Sequence, residues 1–284
     1  MNNYVINALG YNKRARIFYS ETTDLIRQAQ GNLQLNQTLE PVYLEFITAM
    51  SILSGSLVDN EKLFIKFTGD CSNRQMTGLI DASGNIRGLI KEGFTPAQTK
   101  AVFGNRGFIT VNRDNGRFSG YTGIVEMSYA SVAKNLENYF RKSEQLPTYM
   151  RLFLNFDNNR NAVLARGVML QLLPGETKSI ISDFNSVITK NISLFHNPYI
   201  RIDVDMWDKL LNSDFDYMSQ KPVQYKCDCV KEQYYGIIFS LSPAEIDEII
   251  KNKQTLEAAC SSCGKKYCFP YNEIAELFGI SVAK

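Results

Sequence analysis

Four cysteines near the C-terminal end of the chain have the type and spacing of metal ligands. They form a C-x-C pair, Cys227 and Cys229, and a C-x-x-C pair, Cys260 and Cys263. A structural zinc site takes four thiolate or imidazole ligands in a tetrahedron, and two short cysteine pairs on one chain supply them. One pair alone would fit a redox motif, a metal site or chance. The two pairs together predict one Zn²⁺ per chain, held by all four thiolates.

The chemistry of such a site is limited by its coordination. With four protein ligands there is no open position for a catalytic water, so the pattern argues against a zinc hydrolase. The thiolates are nucleophiles toward oxidants, and Cys260 and Cys263 have the spacing of dithiol redox motifs. Cys227 and Cys229 could also pair, in a small and strained ring. On these residues alone, a structural zinc site and an oxidation-sensitive switch both remain open.

Composition sets the class and compartment that we expect. The chain has 284 residues, 44% hydrophobic and 21% charged, with a formal net charge of +2. That charge gives no bulk attraction to nucleic acid or to anionic lipid. Met1–Ala8 lacks the pattern of a secretory signal, and the apolar stretch Phe46–Val58 is too short to cross a bilayer. We therefore expect a cytoplasmic protein without membrane or nucleic-acid partners, whose six cysteines are thiols or metal ligands.

Residues 1–175 predict an α+β domain with mostly antiparallel pairing, because strands, helices and hairpins come in mixed order. One helix is expected to begin near Pro41 and to continue to Val58, and another carries Val132, Leu136 and Tyr139 on one face. The predicted strands are Ala15–Ser20, Lys62–Thr68, Gln75–Ile80, Ile86–Ile90, Phe108–Asn112, Tyr121–Met127, Thr148–Phe156 and Ala162–Leu173.

Residues 176–226, called the connector here, predict amphipathic helices. Ile180, Phe184 and Phe195 belong to one apolar stripe, and a second short helix is expected around Val204–Leu211. Each helix buries only one face, so it needs a neighbouring surface for its stability. We expect the residues that follow, 227–284, to supply that surface.

Residues 227–284, called the cysteine module here, form a small unit. A helical face follows the first cysteine pair, and Ser242-Pro243-Ala244-Glu245 is a capping box with proline at the first helical position. A last helix is expected at Ile274–Phe278. So small a unit is hard to stabilise by its apolar core alone, and a bound metal would supply what the core lacks.

The chain resembles the heat-shock protein 33 family of redox-regulated chaperones. The two cysteine pairs and their spacing match, as does Cys263-Gly264 followed by Tyr267 and Phe269. The segments Asn138–Thr148, Gly167–Pro174 and Tyr121–Gly123 also match family motifs, so the likeness covers nearly the whole chain. The chain departs from the family at Cys71, which stands where a glycine is usual.

The resemblance implies a function and a mechanism. It implies an N-terminal α+β domain (1–175) for client binding and dimerisation, a helical linker (176–226) and a zinc-binding redox domain (227–284). The family acts as an ATP-independent holdase for unfolding proteins and not as an enzyme. By this resemblance, oxidation is expected to form the disulfides Cys227–Cys229 and Cys260–Cys263, to release zinc and to unfold the linker, and the active form is expected to be a homodimer.

Three further residues could carry chemistry, and two other functions would fit a four-cysteine site. Cys71 and Cys268 are more simply core residues than additional ligands, and His196, the single histidine, is a cap or surface residue rather than a catalytic base. A zinc-ribbon-like nucleic-acid-binding module would need a basic stripe with interleaved aromatics. A thiol-disulfide oxidoreductase would need an exposed thiolate of low pKa at Cys260 or Cys263.

Overall fold

A computed structural model describes residues 3–32, 39–69, 75–90, 107–116, 120–260 and 263–280. The chain forms two compact units, Met1–Lys226 and Cys227–Lys284. Cys71 lies outside the described residues. Among the residues described, no helix combines the length and the apolar character needed to span a membrane.

Two sheets make up most of the first unit. Its strands are β1 (Tyr4–Gly10), β2 (Ala15–Glu21), β3 (Lys62–Thr68), β4 (Gln75–Asp81), β5 (Asn85–Ile90), β6 (Gly107–Asp114), β7 (Gly120–Met127), β8 (Thr148–Phe156), β9 (Ala162–Leu172), β10 (Phe215–Pro222) and β11 (Gln224–Tyr225). One sheet has the order β10-β1-β2-β9-β8 and the other β11-β5-β4-β3-β6-β7. All neighbours are antiparallel except β11 and β5. The predicted α+β class with mainly antiparallel sheets is therefore confirmed.

Three helices complete the core between the sheets: α1 (Thr23–Asn32), α2 (Leu39–Ser54) and α3 (Val132–Ser143). Helix α2 is buried along most of its length, which explains its uncharged sequence. It ends at Ser54, four residues before the predicted end. A Cβ atom at Gly55 would lie 2.9 Å from side-chain atoms of Phe18 and Val5, so the chain after the helix needs a glycine to pack this closely.

The connector covers the opposite face of the five-stranded sheet. Its helices are α4 (Ser179–Lys190), α5 (Ile192–Phe195) and α6 (Val204–Leu210). Because side chains alternate along a strand, Phe18 enters the core between the sheets while Ile17 and Tyr19 face the connector. The predicted apolar stripe is present, although Asn191 divides it into two helices.

Two expectations for the connector were wrong. Its apolar side chains, with Phe184 and Trp207 at the centre, are buried against the five-stranded sheet, which supplies the surface that residues 227–284 were expected to supply. The connector is also not entirely helical, because β10 pairs with β1 and β11 pairs with β5. Six of the eight residues of β10 are exposed, so its sequence shows no alternating pattern.

The cysteine module has its own small core. It contains a 3₁₀ turn at Lys231–Tyr234, helices α7 (Tyr235–Phe239), α8 (Pro243–Lys251) and α9 (Tyr271–Leu277), and a hairpin of β12 (Thr255–Ala259) and β13 (Lys266–Pro270). The predicted capping box is confirmed, since Ser242 and Glu245 bond reciprocally at the start of α8. The buried apolar residues are Ile238, Ile246, Ile249, Tyr267, Phe269 and Ile274.

Candidate metal centre

The module brings the four cysteines of the two pairs together. Cys227 and Cys229 follow β11 and are half-buried, whereas Cys260 follows β12 and Cys263 precedes β13, and both of these are buried. Their sulfur atoms all lie within 4.8 Å of one another. The Cys227–Cys260 sulfur distance is 3.8 Å and the Cys229–Cys263 distance is 3.6 Å.

These distances match what a tetrahedral zinc ion requires. With Zn–S bonds of about 2.3 Å, the sulfurs of a regular tetrahedron are about 3.8 Å apart. The four-cysteine cluster is therefore compatible with metal binding, and the identity of the ion stays a prediction from the ligand set. Each cysteine lies close to the others, so the sulfur positions by themselves do not select the pairs that oxidation would join.

Local backbone geometry positions the second pair. The Gly264 amide donates to the Cys260 carbonyl and the Cys260 amide donates to the Lys265 carbonyl, both at 2.8 Å. Gly264 has a positive φ of 75°, a conformation that favours glycine. The turn closes the end of the β12–β13 hairpin and points both sulfurs toward the first pair.

Burial disfavours the thiolate form of the cysteines in the cluster. Burial raises the pKa of the Cys227 thiol and that of the Cys263 thiol, because a thiolate loses hydration there. Four neighbouring thiolates would also repel one another. A divalent cation reverses both effects, and this is the usual reason for thiolate clusters in proteins.

Two tyrosines donate hydrogen bonds to the sulfurs. The Tyr267 hydroxyl lies 2.6 Å from the Cys229 carbonyl oxygen and 3.1 Å from the Cys229 sulfur. Tyr234 bonds to the Cys260 sulfur, and this bond raises the pKa of Tyr234. The two rings are 5.2 Å apart. The sequence alone predicts no role for either tyrosine at the site, although Tyr267 and Phe269 alternate in the strand after the second pair.

The other candidates lie elsewhere. Cys268 is exposed on β13 and outside the four-sulfur cluster. It is therefore not the core residue that was expected. His196 is exposed at the end of α5, where its Nδ1 lies 2.8 Å from Oδ1 of Asn155, as expected for a cap or surface residue.

Comparison with known proteins gives the same family as the sequence motifs. The family model described as Hsp33 protein matches residues 3–270. The "33 kDa chaperonin" of Lactobacillus delbrueckii subsp. bulgaricus is 26% identical over the full length of both chains. That of Bacillus pumilus is also 26% identical, over 96% of this chain and 97% of its own.

A solved structure shows the same fold. The crystal structure of the 33 kDa chaperonin (heat shock protein 33 homolog) from Thermotoga maritima aligns with a TM-score of 0.79 at 18% identity. The alignment covers 98% of each chain. Family model, relatives and fold agree over nearly the whole length, and the chain therefore belongs to the Hsp33 family of chaperones.

Proposed function

We propose that this chaperone is a redox-regulated, ATP-independent holdase whose reduced, resting form carries one zinc ion. Cys227, Cys229, Cys260 and Cys263 would hold the ion. The observation that carries the proposal is the cluster of four sulfurs within 4.8 Å in a module with a small apolar core. When bound, zinc supplies charge compensation for the thiolates and joins the start of the module to its β12–β13 hairpin.

Oxidation of the thiolates would remove the ligands. Two cysteines lose two electrons and form one disulfide, while a peroxide accepts the electrons and two protons to give two molecules of water. By the family resemblance we assign the pairs Cys227–Cys229 and Cys260–Cys263. Each disulfide takes two sulfurs out of the ligand set, so the two reactions together abolish the site.

Loss of the site would unfold the module. Metal binding contributes about 10–16 kcal/mol to the folding of small zinc domains at neutral pH. The module buries few apolar side chains of its own, so it has little to replace that contribution. Oxidation would thus become an order-to-disorder transition.

The transition would reach the connector along the chain. Lys226 alone separates β11 from Cys227, and β10 lies just before β11 at the edge of the five-stranded sheet. Unfolding that begins at Cys227 would therefore first loosen the short β11 and then the connector helices. Their departure would expose the apolar sheet face that now contacts Phe184 and Trp207. An exposed apolar face of this kind binds unfolding proteins and prevents their aggregation.

The remaining assignments follow the family resemblance. We assign client binding and dimerisation to residues 1–175, the linker role to 176–226 and the redox role to 227–284. We also propose a homodimer after activation, a cytoplasmic location, no enzymatic activity and no nucleic-acid partner. The net charge of +2 supports the last point. The buried Cys260 and the raised pKa of Cys263 disfavour a thiol-disulfide oxidoreductase.

The test compares the reduced protein with protein treated with peroxide under mild warming. We expect oxidation to release zinc to a chromophoric chelator, to shift the emission of Trp207, and to suppress light scattering by a thermally unfolding client. Cys260→Ser removes one ligand, whereas Cys268→Ser is a matched control outside the cluster. C268S should bind zinc and respond to oxidation as the unmodified protein does.

Two results would contradict the proposal. If zinc is released and client aggregation continues unchanged, the protein is not an oxidation-activated holdase. If the reduced, zinc-bound protein suppresses aggregation as well as the oxidised protein does, the thiolates do not regulate the activity. An unchanged Trp207 emission on activation would count against release of the connector.

A further inference from the structure

An arginine is buried within the apolar sheet face that the connector covers. Arg166 on β9 and Glu21 on β2 are cross-strand partners, and they are 1% and 4% exposed. Nε of Arg166 donates to Oε2 of Glu21 at 2.6 Å. Glu21 also accepts bonds from the hydroxyls of Tyr19 and Thr23. Burial of two charges costs hydration free energy even when the charges pair. A fully buried ion pair within an apolar surface is therefore unusual.

The rest of the guanidinium binds main-chain carbonyl groups of the connector. Nη1 of Arg166 lies 3.3 Å from the carbonyl oxygen of Leu194, 3.5 Å from that of Phe195 and 3.0 Å from that of Asn197. Nη2 lies 2.5 Å from the carbonyl oxygen of Ile200. Every one of these acceptors is a backbone oxygen, so any polypeptide could supply the same group.

Neighbouring side chains of the sheet bind the same turn in the same way. Nδ2 of Asn155 donates to the His196 carbonyl at 2.7 Å, and the hydroxyl of Tyr4 donates to the Ile202 carbonyl at 3.2 Å. Arg166 is therefore the centre of a set of donors directed at one stretch of backbone, residues 194–202.

The surroundings of Arg166 are apolar. Leu164 and Val168 are its neighbours on the same face of β9, and Phe153 packs beside them against Phe195. An extended chain with apolar side chains would place those side chains on this surface and its carbonyls toward the guanidinium. These two features are shared by unfolded proteins of almost any sequence, whereas a folded protein has its carbonyls already paired.

We propose that Arg166 is a binding subsite for the backbone carbonyls of clients, occupied by the connector in the resting form. The proposal rests on the function proposed above, because the connector must leave before a client can enter. Once the connector has left, the guanidinium keeps Glu21 as its partner and loses its carbonyl acceptors. Beside an apolar surface, charged donors without acceptors favour any chain that supplies new ones.

The experiment measures peptide binding by the full-length protein after activation with peroxide. The probe is a fluorescently labelled, apolar twelve-residue peptide, and anisotropy gives its dissociation constant. The double variant E21Q/R166M removes both charges together and avoids an unpaired carboxylate. We expect it to bind the peptide roughly tenfold more weakly, the effect of one lost charged hydrogen bond.

Two controls separate the subsite from general effects of charge. The variant E61Q/R113M removes a partly exposed ion pair, 3.4 Å apart, in which Arg113 belongs to the six-stranded sheet, and should change the affinity less than about twofold. A peptide with one backbone amide replaced by an ester has a weaker carbonyl acceptor. The unmodified protein should bind the ester more weakly than the amide, and E21Q/R166M should not distinguish them.

The results that would overturn the proposal differ from those that concern the holdase. If oxidised E21Q/R166M binds the peptide as tightly as the unmodified protein, Arg166 serves only the connector and the subsite is wrong. If the oxidised unmodified protein binds no peptide, the holdase proposal fails and the subsite fails with it. Should E21Q/R166M not fold, Arg166→Lys keeps the charge and loses the fork of donors. Unchanged peptide affinity in R166K would equally overturn the subsite.

Discussion

The hydroxyl of Tyr267 is placed to affect how tightly the cysteine cluster would bind a metal ion. It lies 3.1 Å from the Cys229 sulfur and is anchored by the Cys229 carbonyl. A hydrogen bond to a metal-bound thiolate stabilises its charge, and loss of such outer contacts typically weakens metal affinity about 10–100-fold. We predict that the Tyr267→Phe variant has at least a tenfold higher dissociation constant for zinc than the unmodified protein. Competition titration of the reduced protein measures this.

Tyr235→Phe is the matched control for that prediction. Tyr235 belongs to the same module, but its ring packs against Phe269 at 6.0 Å. We expect its zinc affinity to stay within about twofold of that of the unmodified protein. Equal zinc affinity in both variants would mean that the Tyr267 hydroxyl only orders the backbone at Cys229.

We expect His196 to make docking of the connector sensitive to acid. Its partial burial, and then the charge of Arg151, lower the pKa of His196 below its ordinary value of 6.5. The docked connector therefore binds the proton less well than the released one, so docking loses stability as the pH falls below about 6.5. We predict that the urea midpoint of the Trp207 emission change decreases between pH 7.5 and pH 5.5. Part of that decrease should disappear in His196→Gln, and an identical pH dependence in both proteins would refute the prediction.

At the scale of the elements, Phe184 attaches helix α4 to the sheet. Its side chain is fully buried, and its ring lies 5.6 Å from that of Tyr149 and 6.1 Å from that of Trp207. Truncation of a buried phenylalanine costs about 3–5 kcal/mol. Because the connector is held in part by such contacts, Phe184→Ala should release it without oxidation. We predict that reduced, zinc-bound F184A suppresses client aggregation, measured by light scattering, while the unmodified reduced protein does not.

A surface variant of the connector controls for that result. Tyr199 is 92% exposed, so Tyr199→Ala removes an aromatic side chain without opening a cavity. The reduced Y199A protein should remain inactive and should keep the Trp207 emission of the unmodified protein. If the Trp207 emission shows that F184A has released the connector, and F184A still does not bind clients, the sheet face is not the client-binding surface.

The elements also show which parts of the fold could be predicted from the sequence. Helix α3 follows from local periodicity, because its buried side chains repeat at about 3.6 residues. Strand β9 is buried on both faces, so a continuous apolar run rather than an alternation predicts it. Strand β10 could not be found in this way. Its residues are mostly exposed, and its position depends on pairing with β1, about 200 residues earlier in the chain.

The candidate site could also be predicted only in part. Cysteine spacing predicts a cluster because short pairs need little long-range information, and the structure brings all four sulfurs together. The hydroxyl contacts of Tyr267 and Tyr234 depend on how the hairpin folds over the first pair. Arg166 was missed for another reason. A charged residue within an apolar strand is predicted to be exposed. The burial of Arg166 can be understood only once its cross-strand partner, Glu21, is known.

At the scale of the molecule, the two units differ in what stabilises them. Residues 1–226 have two sheets and two extensive apolar cores, one between the sheets and one under the connector. Residues 227–284 have a much smaller core and the four buried or half-buried cysteines. A unit of this size commonly needs a metal or disulfides to remain folded. If the module depends on a metal in this way, a chemical change at its four sulfur atoms would unfold it.

We therefore predict that a strong chelator unfolds the module while leaving the sheets of the first unit folded. Hydrogen exchange followed by mass spectrometry should show full exchange of α8 and the β12–β13 hairpin within seconds after zinc removal in reducing buffer. Strands β2 and β9 should keep their protection, since their hydrogen bonds lie within the larger unit. Re-addition of zinc should restore protection, because the ligands remain thiols. If α8 stays protected without zinc, the module folds without metal, and ligand loss cannot be the step that starts activation.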